Sequence, residues 1–161
     1  MITVTGAGGK TGQAVIRALV RRGAKVRALV RRAEQAAAVI ALGAGEALAG
    51  DMRDAGTLER ALDGARSVYH ICPNMHPEEL SIGEAVIAAA RRAGLERLVY
   101  HSVLHPQVEA MPHHWSKMRV EEQLFASGVP YTILQPAAYM QNVLTHWERM
   151  RNEGVYPVPY A

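Results

Sequence analysis

Short apolar runs alternate along this chain with longer segments in which apolar residues recur every three to four positions. The short runs, rich in β-branched residues, predict six strands at residues 2–5, 26–30, 46–49, 67–71, 98–102 and 131–134. The longer segments predict six helices at residues 12–22, 33–42, 54–62, 78–93, 114–127 and 139–152. Strands that alternate with helices in this way indicate parallel strands joined by helical crossovers.

Glycine residues mark the ends of the predicted helices, because glycine adopts the left-handed conformation that ends a helix at little cost. The glycines that follow the six helices are Gly23, Gly43, Gly64, Gly94, Gly128 and Gly154. Asp54 and Thr57 are candidate starts of the third helix, and Pro77 fits the first turn of the fourth. The pattern predicts an α/β fold of the Rossmann type: a doubly wound parallel sheet in a three-layer sandwich, with strand order 3-2-1-4-5-6.

Length and composition describe one ordinary globular domain over residues 1–161, with 49% hydrophobic and 20% charged residues. Because Cys72 is the single cysteine, no internal disulfide can form. No apolar run approaches the roughly 18 residues that cross a bilayer, and the first residues already predict a strand. We therefore expect a cytoplasmic protein without a membrane span. The Pro-rich end, residues 154–161, has no closing element, so we expect that it leads to a further portion of chain.

The net charge of +3 does not indicate a nucleic-acid partner. Basic residues occur as scattered pairs, such as Arg21-Arg22 and Arg91-Arg92, and only 6% of the residues are aromatic. A nucleic-acid surface usually presents a clustered basic face or stripe. We therefore expect no direct contact with nucleic acid.

A glycine-rich loop follows the first strand directly and leads into the first helix, with the sequence Gly6-Ala7-Gly8-Gly9-Lys10-Thr11-Gly12. Gly6 permits a tight turn, Gly8 or Gly9 lets the backbone approach a pyrophosphate, and Gly12 allows close packing of helix on strand. The free amides at the start of the helix then face the anion. A triphosphatase loop is excluded, because it needs glycine five positions before Gly9, where Val4 stands. The loop predicts dinucleotide binding, with a merely tight turn as the alternative.

The end of the second strand distinguishes between two dinucleotides. An acidic residue there would bind an adenosine ribose with two free hydroxyls, whereas arginine suits a 2′-phosphate. Here the strand runs into Arg31 and Arg32, and the nearest acid is Glu34. The sequence therefore favours NADP(H) over NAD(H), with Arg31 as the first candidate and solvated surface arginines as the alternative.

Four stretches share their order and spacing with one known family: residues 5–12, residues 26–31, Gly50-Asp51-Met52-Arg53-Asp54, and Tyr131-Thr132-Ile133-Leu134-Gln135-Pro136 followed by Asn142. Over almost all of its length, the chain resembles the NmrA-like branch of the atypical short-chain dehydrogenases/reductases. Members are typically cytoplasmic NADP(H)-binding proteins. Some reduce quinones, dyes or other carbonyl-like acceptors, and others are redox-sensing regulators. They usually have a C-terminal substrate-binding portion, which the resemblance implies is missing from this chain.

The resemblance also implies cofactor contacts after three of the strands. These are Asp51 and Met52 by the adenine, Ile71, Cys72 and Pro73 by the ribose and nicotinamide, and Pro136 and Ala137 over the nicotinamide. Cys72 itself is expected to be a small buried residue rather than a nucleophile.

The reductase pair of the superfamily is only half present. Reductases there commonly place a tyrosine four residues before a lysine, and the lysine holds the ribose and lowers the pKa of the tyrosine. Lys117 matches the lysine, but His113 occupies the tyrosine position. This disfavours ordinary alcohol–ketone chemistry and leaves quinone reduction open, because a quinone accepts hydride with less help from a proton donor. His113 is either a proton donor on the same helical face as Lys117 or a solvated loop histidine.

A positive charge at a helix start opposes the helix dipole, so the predicted position of Lys117 favours an anionic or polyhydroxyl ligand over a structural role. His70, His101 and His105 gather near predicted strand ends but lack a metal-ligand pattern, so we expect no metal. The stripe of Leu144, Trp147 and Met150 predicts a core or interface surface.

Two functions are consistent with these observations. The first is an NADPH-dependent oxidoreductase that passes hydride to a quinone or other carbonyl-like acceptor above Cys72, Ser102 and Pro136. The second is an NADP(H)-binding redox sensor without turnover. In either case the fourth and fifth helices could pair two subunits in a homodimer.

Overall fold

The computed structural model describes residues 1–157 and confirms the predicted parallel sheet. Its strands are β1 (Ile2–Val4), β2 (Val26–Val30), β3 (Glu46–Ala49), β4 (Ser67–His70), β5 (Arg97–His101) and β6 (Tyr131–Leu134). They lie in the order β3-β2-β1-β4-β5-β6, and every neighbouring pair is parallel. The last four residues of the Pro-rich end, 158–161, lie outside the described residues.

In the described part of the chain, six α-helices connect or follow the strands. They are α1 (Lys10–Arg21), α2 (Ala36–Ala41), α3 (Ala55–Leu62), α4 (Glu79–Arg92), α5 (Pro112–Ala126) and α6 (Trp147–Glu153). The six glycines predicted to end helices all have positive φ, from 62° to 95°. Asp54 caps α3 as predicted, because its carboxylate accepts a hydrogen bond from the amide of Thr57 at 2.7 Å.

Several predicted helix bounds are wrong for identifiable reasons. The helices predicted at 33–42 and 139–152 each begin as a 3-10 segment, Ala33–Gln35 and Met140–His146, and become α-helical only afterwards. Such tighter turns are common at helix N-termini. Helix α5 begins two residues earlier than predicted, because Pro112 is tolerated in the first turn of a helix, where its missing amide is not needed. Pro77 lies before the first residue of α4 rather than in its first turn.

The core lies on both faces of the sheet, as a doubly wound fold requires. Strand β2 is buried at every position. Its residues Val26, Ala28 and Val30 join the apolar cluster that contains Ile16 of α1. Leu29, which points to the opposite face, joins the cluster built with α3, α4 and α5. The edge strands β3 and β6 are only partly covered, so burial on both faces is a property of the central strands.

The predicted apolar stripe near the end of the chain is not part of this core. Leu144 is 68% exposed and Trp147 is 52% exposed. In the part of the chain that the structure describes, no helix is both long and apolar enough to cross a membrane.

Candidate functional site

A cavity of about 740 Å³ lies along the carboxyl ends of the strands. It includes the point where β1 is flanked by β2 on one side and β4 on the other, which is where doubly wound sheets bind ligands. Its volume is in the range of small-molecule sites, about 300–1,000 Å³. Every residue that the sequence suggests for a cofactor or for catalysis lines it: Gly6, Gly8, Gly9, Lys10, Thr11, Gly12, Arg31, Asp51, Met52, Ile71, Cys72, Pro73, His113, Lys117 and Pro136.

The glycine loop is shaped by two close approaches of the backbone. Gly6 has a φ of 60°, and a Cβ there would lie 2.6 Å from the carbonyl oxygen of Ile71 after β4. A Cβ on Gly12 would lie 2.4 Å from the carbonyl oxygen of Gly6. Both distances exclude a larger residue, so the conformational roles predicted for these two glycines are confirmed.

Helix α1 begins at Lys10, two residues earlier than predicted, because Gly9 takes the extended conformation of a cap residue. Lys10, Thr11 and Gly12 therefore form its first turn, whose amides have no acceptor within the helix. No acidic side chain lies in this turn. The start of α1 consequently presents amide groups and partial positive charge to the cavity, which is suited to an anion.

Arg31 lies exposed at the end of β2 and lines the cavity. Its neighbour Arg32 pairs with Glu34 at 2.9 Å, which engages the nearest acid in the sequence. Within residues 1–157 the ion pairs do not include Arg31. The guanidinium group of Arg31 is therefore available to a ligand.

Gln35 is a cavity residue that the sequence analysis missed. Its amide lies over Gly8, where a Cβ would approach the Gln35 Nε2 atom to 2.5 Å. The Gln35 Oε1 atom accepts a hydrogen bond from the amide of Arg32 at 3.0 Å. The position depends on the 3-10 segment Ala33–Gln35, which the sequence pattern did not distinguish from an α-helix.

The loop after β3 is fixed by an exposed cluster of charges. The guanidinium group of Arg53 donates to both carboxylate oxygens of Asp51, with the shortest bond at 2.7 Å, and to Glu78 at 2.9 Å. Chiefly through these hydrogen bonds, Arg53 lowers the pKa of Asp51 to about 2. Arg53 thereby links Asp51, at the predicted adenine end of the cavity, to Glu78, which directly precedes α4.

A buried threonine and a buried histidine lie side by side at the carboxyl ends of β1 and β4. The Thr5 hydroxyl lies 2.8 Å from the His70 Nδ1 atom and accepts a hydrogen bond from the amide of Ile71 at 3.0 Å. Burial lowers the pKa of His70 to about 3, so its ring is neutral at pH 7. Burial likewise raises the pKa of the Cys72 thiol to about 12. Cys72 is thus a protonated, buried thiol, as the sequence interpretation expects.

Lys117 lies in the second turn of α5 and forms a buried ion pair with Glu79 at the start of α4. The Tyr100 hydroxyl donates to the same carboxylate at 3.0 Å. The Lys117 ammonium also approaches the carbonyl oxygen of His101 at 3.4 Å. An ammonium group has three N–H donors, so one remains for a ligand in the cavity.

This pair corrects the sequence argument about Lys117. The lysine is not an uncompensated charge at a helix start, because Glu79 supplies the compensating charge. Glu79 was missed because it belongs to no recognisable motif. Only the packing of α4 against α5 brings it to Lys117, which lies 38 positions later.

His113 and Lys117 share the cavity face of α5, as their spacing predicts. His113 is in the helix and half-buried, so it is not a solvated loop residue. Burial lowers the pKa of His113, and charge repulsion from His114 and Lys117 lowers it further.

One turn after Lys117, Glu121 occupies a second buried site on the same helix. Its carboxylate accepts hydrogen bonds from the Ser102 hydroxyl and, at 2.9 and 3.0 Å, from the Gln135 amide. Ser102 lines the cavity, but its hydroxyl hydrogen is committed to Glu121. Among residues 1–157, no three His, Cys, Asp or Glu side chains are grouped so as to hold a metal ion.

Comparisons with known proteins give a consistent set of relatives. The profile of the NmrA-like family matches residues 1–157. The NAD(P)H azoreductase of Xenophilus azovorans is 32% identical over 99% of this chain and 55% of the azoreductase. Quinone oxidoreductase 2 of Escherichia coli is 30% identical over 97% of this chain and 55% of that protein.

A solved structure agrees with these relatives. The crystal structure of an NADPH-dependent quinone oxidoreductase from Escherichia coli, in complex with NADPH, superposes with a TM-score of 0.86 at 29% identity. The superposition covers 97% of this chain and 56% of the oxidoreductase. This chain therefore spans about half the length of the curated relatives that it matches.

Proposed function

This chain belongs to the NmrA-like family, and from that premise we propose that it binds NADP(H) and passes hydride from it to a quinone or another carbonyl-like acceptor. The observation that carries the proposal is that the start of α1, Arg31 and Lys117 all line one cavity at the switch point of the sheet. These are the groups needed for a pyrophosphate, a 2′-phosphate and a ribose, respectively.

The cavity residues fit the cofactor in chemistry as well as in position. The first turn of α1 would bind the pyrophosphate, because its backbone amides have no acceptor within the helix and no acidic side chain lies in that turn. Asp51 and Met52 would flank the adenine. Lys117 would donate its remaining hydrogen bond to the ribose, held in place by Glu79. Once bound, the cofactor supplies the hydride, and the residues around it supply position and electrostatics.

We propose a preference for NADP(H) over NAD(H) from the charges near the end of β2. Among residues 1–157, Arg31 is not engaged in an ion pair, and the exposed Lys10 lines the same cavity. The two nearby carboxylates are engaged elsewhere, since Arg32 pairs with Glu34 and Arg53 binds Asp51. A 2′-phosphate would therefore meet cations, whereas the carboxylates of Glu34 and Asp51 are already paired with arginines and are less suited to bind a ribose diol.

The proposed acceptor is a quinone or a similar conjugated carbonyl compound. Two relatives are named as a quinone oxidoreductase and an azoreductase, which supports an acceptor of this kind. His113 stands where a reductase tyrosine would stand, which is consistent with this choice. Cys72 and Pro136 give the acceptor side of the cavity an apolar surface.

Turnover of NADPH by this chain tests the proposal. We expect NADPH absorbance to fall steadily with simple quinones and more slowly with an aliphatic ketone, which accepts hydride less readily. Tight NADPH binding without oxidation by quinones, azo dyes or other carbonyl-like acceptors would contradict the enzymatic function.

A redox sensor is the second candidate, and the absent tyrosine is the observation that favours it. A sensor must bind NADP and NADPH with different affinities, because otherwise redox state changes nothing. Equal affinities for the two forms, measured by titration, would contradict the sensor. Pairing of two copies through α4 and α5 stays a prediction.

A further inference from the structure

Three side chains from three segments are joined by a series of hydrogen bonds at the carboxyl ends of β4, β5 and β6. The Tyr69 hydroxyl on β4 lies 2.9 Å from the Nδ1 atom of His101, the last residue of β5. The Nε2 atom of His101 lies 2.6 Å from the hydroxyl of Tyr139, which follows β6. His101 and Tyr139 both line the cavity that contains Lys117. A phenol, an imidazole and a second phenol are therefore linked in series beside the proposed reaction centre.

Tyr69 and His101 are both uncharged near neutral pH. Burial raises the pKa of Tyr69, while burial and the nearby Lys117 ammonium lower the pKa of His101. A neutral imidazole carries one N–H, so the two hydrogen bonds of His101 must run in the same direction. Either Tyr69 donates to Nδ1 and Nε2–H donates to Tyr139, or both bonds are reversed.

In the first of these arrangements, the hydroxyl of Tyr69, which is the more buried of the two phenols, donates a hydrogen bond. If Nδ1–H donated to Tyr69, the hydroxyl hydrogen of Tyr69 would lose its partner, and within residues 1–157 His101 is the residue that this hydroxyl bonds. Tyr139 is 41% exposed, so its hydroxyl hydrogen can bond water or a ligand instead. An unsatisfied buried donor costs more than an exposed one. The favoured arrangement leaves the Tyr139 hydrogen free to point into the cavity.

We propose that Tyr139 is the catalytic proton donor to the acceptor, and that His101 and Tyr69 are positioning residues that orient its hydroxyl hydrogen toward the cavity. This role rests on the proposed function. It assigns the task of the absent reductase tyrosine to a residue from a different part of the chain. The Lys117 ammonium lies 3.4 Å from the backbone carbonyl oxygen of His101, so the lysine also contacts a residue of this hydrogen-bonded series.

The proposed step balances in atoms and electrons. Hydride from NADPH brings two electrons and one hydrogen to the acceptor, and the negative charge that results collects on a carbonyl oxygen. An O–H bond forms there as the O–H bond of Tyr139 breaks. The phenolate accepts the Nε2–H hydrogen bond of His101 and regains a proton from solvent, because Tyr139 is exposed. The net reaction consumes NADPH, acceptor and one proton, and yields NADP⁺ and the reduced acceptor.

The direction of the hydrogen bonds is tested without any nucleotide. Long-range ¹H–¹⁵N spectra of the chain labelled at histidine report which ring nitrogen carries hydrogen, and His101→Gln identifies the His101 signals. We expect the Nε2–H tautomer in the unmodified chain and a loss of that preference in Tyr69→Phe. A predominant Nδ1–H tautomer would overturn the proposed orientation.

Kinetics with NADPH and a simple quinone test the role of the hydroxyl. We expect Tyr139→Phe to lower kcat at least about tenfold, with NADPH affinity unchanged. This loss is smaller than the roughly 100- to 10,000-fold usual for general acids, because a quinone needs little protonation. His101→Gln, which keeps a donor near the Nε2 position, should retain more activity than His101→Leu. Tyr131→Phe, at the opposite end of β6, is the matched control and should match the unmodified chain.

The outcomes separate this inference from the function on which it rests. If the unmodified chain oxidises NADPH and Tyr139→Phe does so equally well, the role of Tyr139 is wrong and the oxidoreductase function stands. If the unmodified chain binds NADPH but turns over none of the acceptors, the oxidoreductase function and the proton-donor role both fall.

Discussion

The carboxylate of Glu79 on α4 holds the ammonium group of Lys117 on α5, in a pair whose side chains are 1% and 11% exposed. The pair fixes the one lysine that the sequence suggests for the ribose. It also joins two neighbouring helices beneath the cavity. Because both charges are removed from water, the pair is sensitive to the loss of either partner.

Glu79→Gln should therefore destabilise the fold strongly. It keeps the shape of the side chain but leaves the Lys117 ammonium buried without a counter-charge, which typically costs about 3–5 kcal/mol. The free energy of unfolding, measured with urea, checks this prediction. Glu78→Gln is the matched control, because Glu78 is the adjacent residue and its pair with Arg53 is exposed, so its loss should stay below about 1 kcal/mol. Equal losses in the two variants would contradict a buried charge pair.

The glycine loop predicts opposite outcomes for two glycines. A Cβ on Gly12 would collide with the Gly6 carbonyl at 2.4 Å, whereas a Cβ on Gly9 would meet the same oxygen at an ordinary 3.4 Å. Gly12→Ala should lower the free energy of unfolding by about 1–3 kcal/mol, the usual cost of overpacking. Gly9→Ala should fold nearly normally but bind NADPH more weakly, because Gly9 lines the cavity directly before the first turn of α1, where an added methyl group would reduce the room for the proposed pyrophosphate. Urea unfolding and NADPH titration of both variants distinguish the two roles, and a stable, fully binding Gly9→Ala would argue against this position for the pyrophosphate.

The buried His70 predicts how stability changes with pH. Its pKa is about 3 in the folded chain and about 6.5 when unfolded, so below pH 6.5 protons bind the unfolded state preferentially. The free energy of unfolding should fall by about 2 kcal/mol from this residue between pH 7 and pH 5, because each pH unit below 6.5 costs about 1.4 kcal/mol. His70→Asn retains a partner for Thr5 and should remove this part of the slope. An unchanged slope would show that His70 binds a proton as readily in the folded state as in the unfolded state.

Much of the fold could be predicted from the sequence because its signals are local. The alternation of short apolar runs with helical segments determines a doubly wound sheet, and the six glycines give the helix ends. The positions along the cavity could be predicted for a similar reason. In such a sheet the carboxyl ends of the strands meet at one edge, so Gly6, Arg31, Asp51, Cys72 and Pro136 come together as soon as the strand order is known.

The site residues that could not be predicted from the sequence are brought together by tertiary packing. Glu79 reaches Lys117 because α4 lies against α5. Tyr69, His101 and Tyr139 meet because β4, β5 and β6 are neighbours in register, so residues 32 and 38 positions apart become adjacent. No local spacing indicates either group. Leu144 and Trp147 lie outside the core, and their role in an interface stays a prediction, because a helical period shows which residues share a face and does not show what covers that face.

The cofactor site itself is tested most directly by titrating the chain with NADPH and with NADH while following nicotinamide fluorescence. We predict saturable NADPH binding that is tighter than NADH binding. Arg31→Ala should weaken NADPH binding about 10- to 100-fold, the loss of a hydrogen-bonded charge pair, with little effect on NADH. Arg66→Ala, an exposed arginine paired with Glu96 at the opposite ends of the strands, should change neither. Absence of saturable binding, or equal binding of the two nucleotides that Arg31→Ala leaves unaltered, would contradict the account.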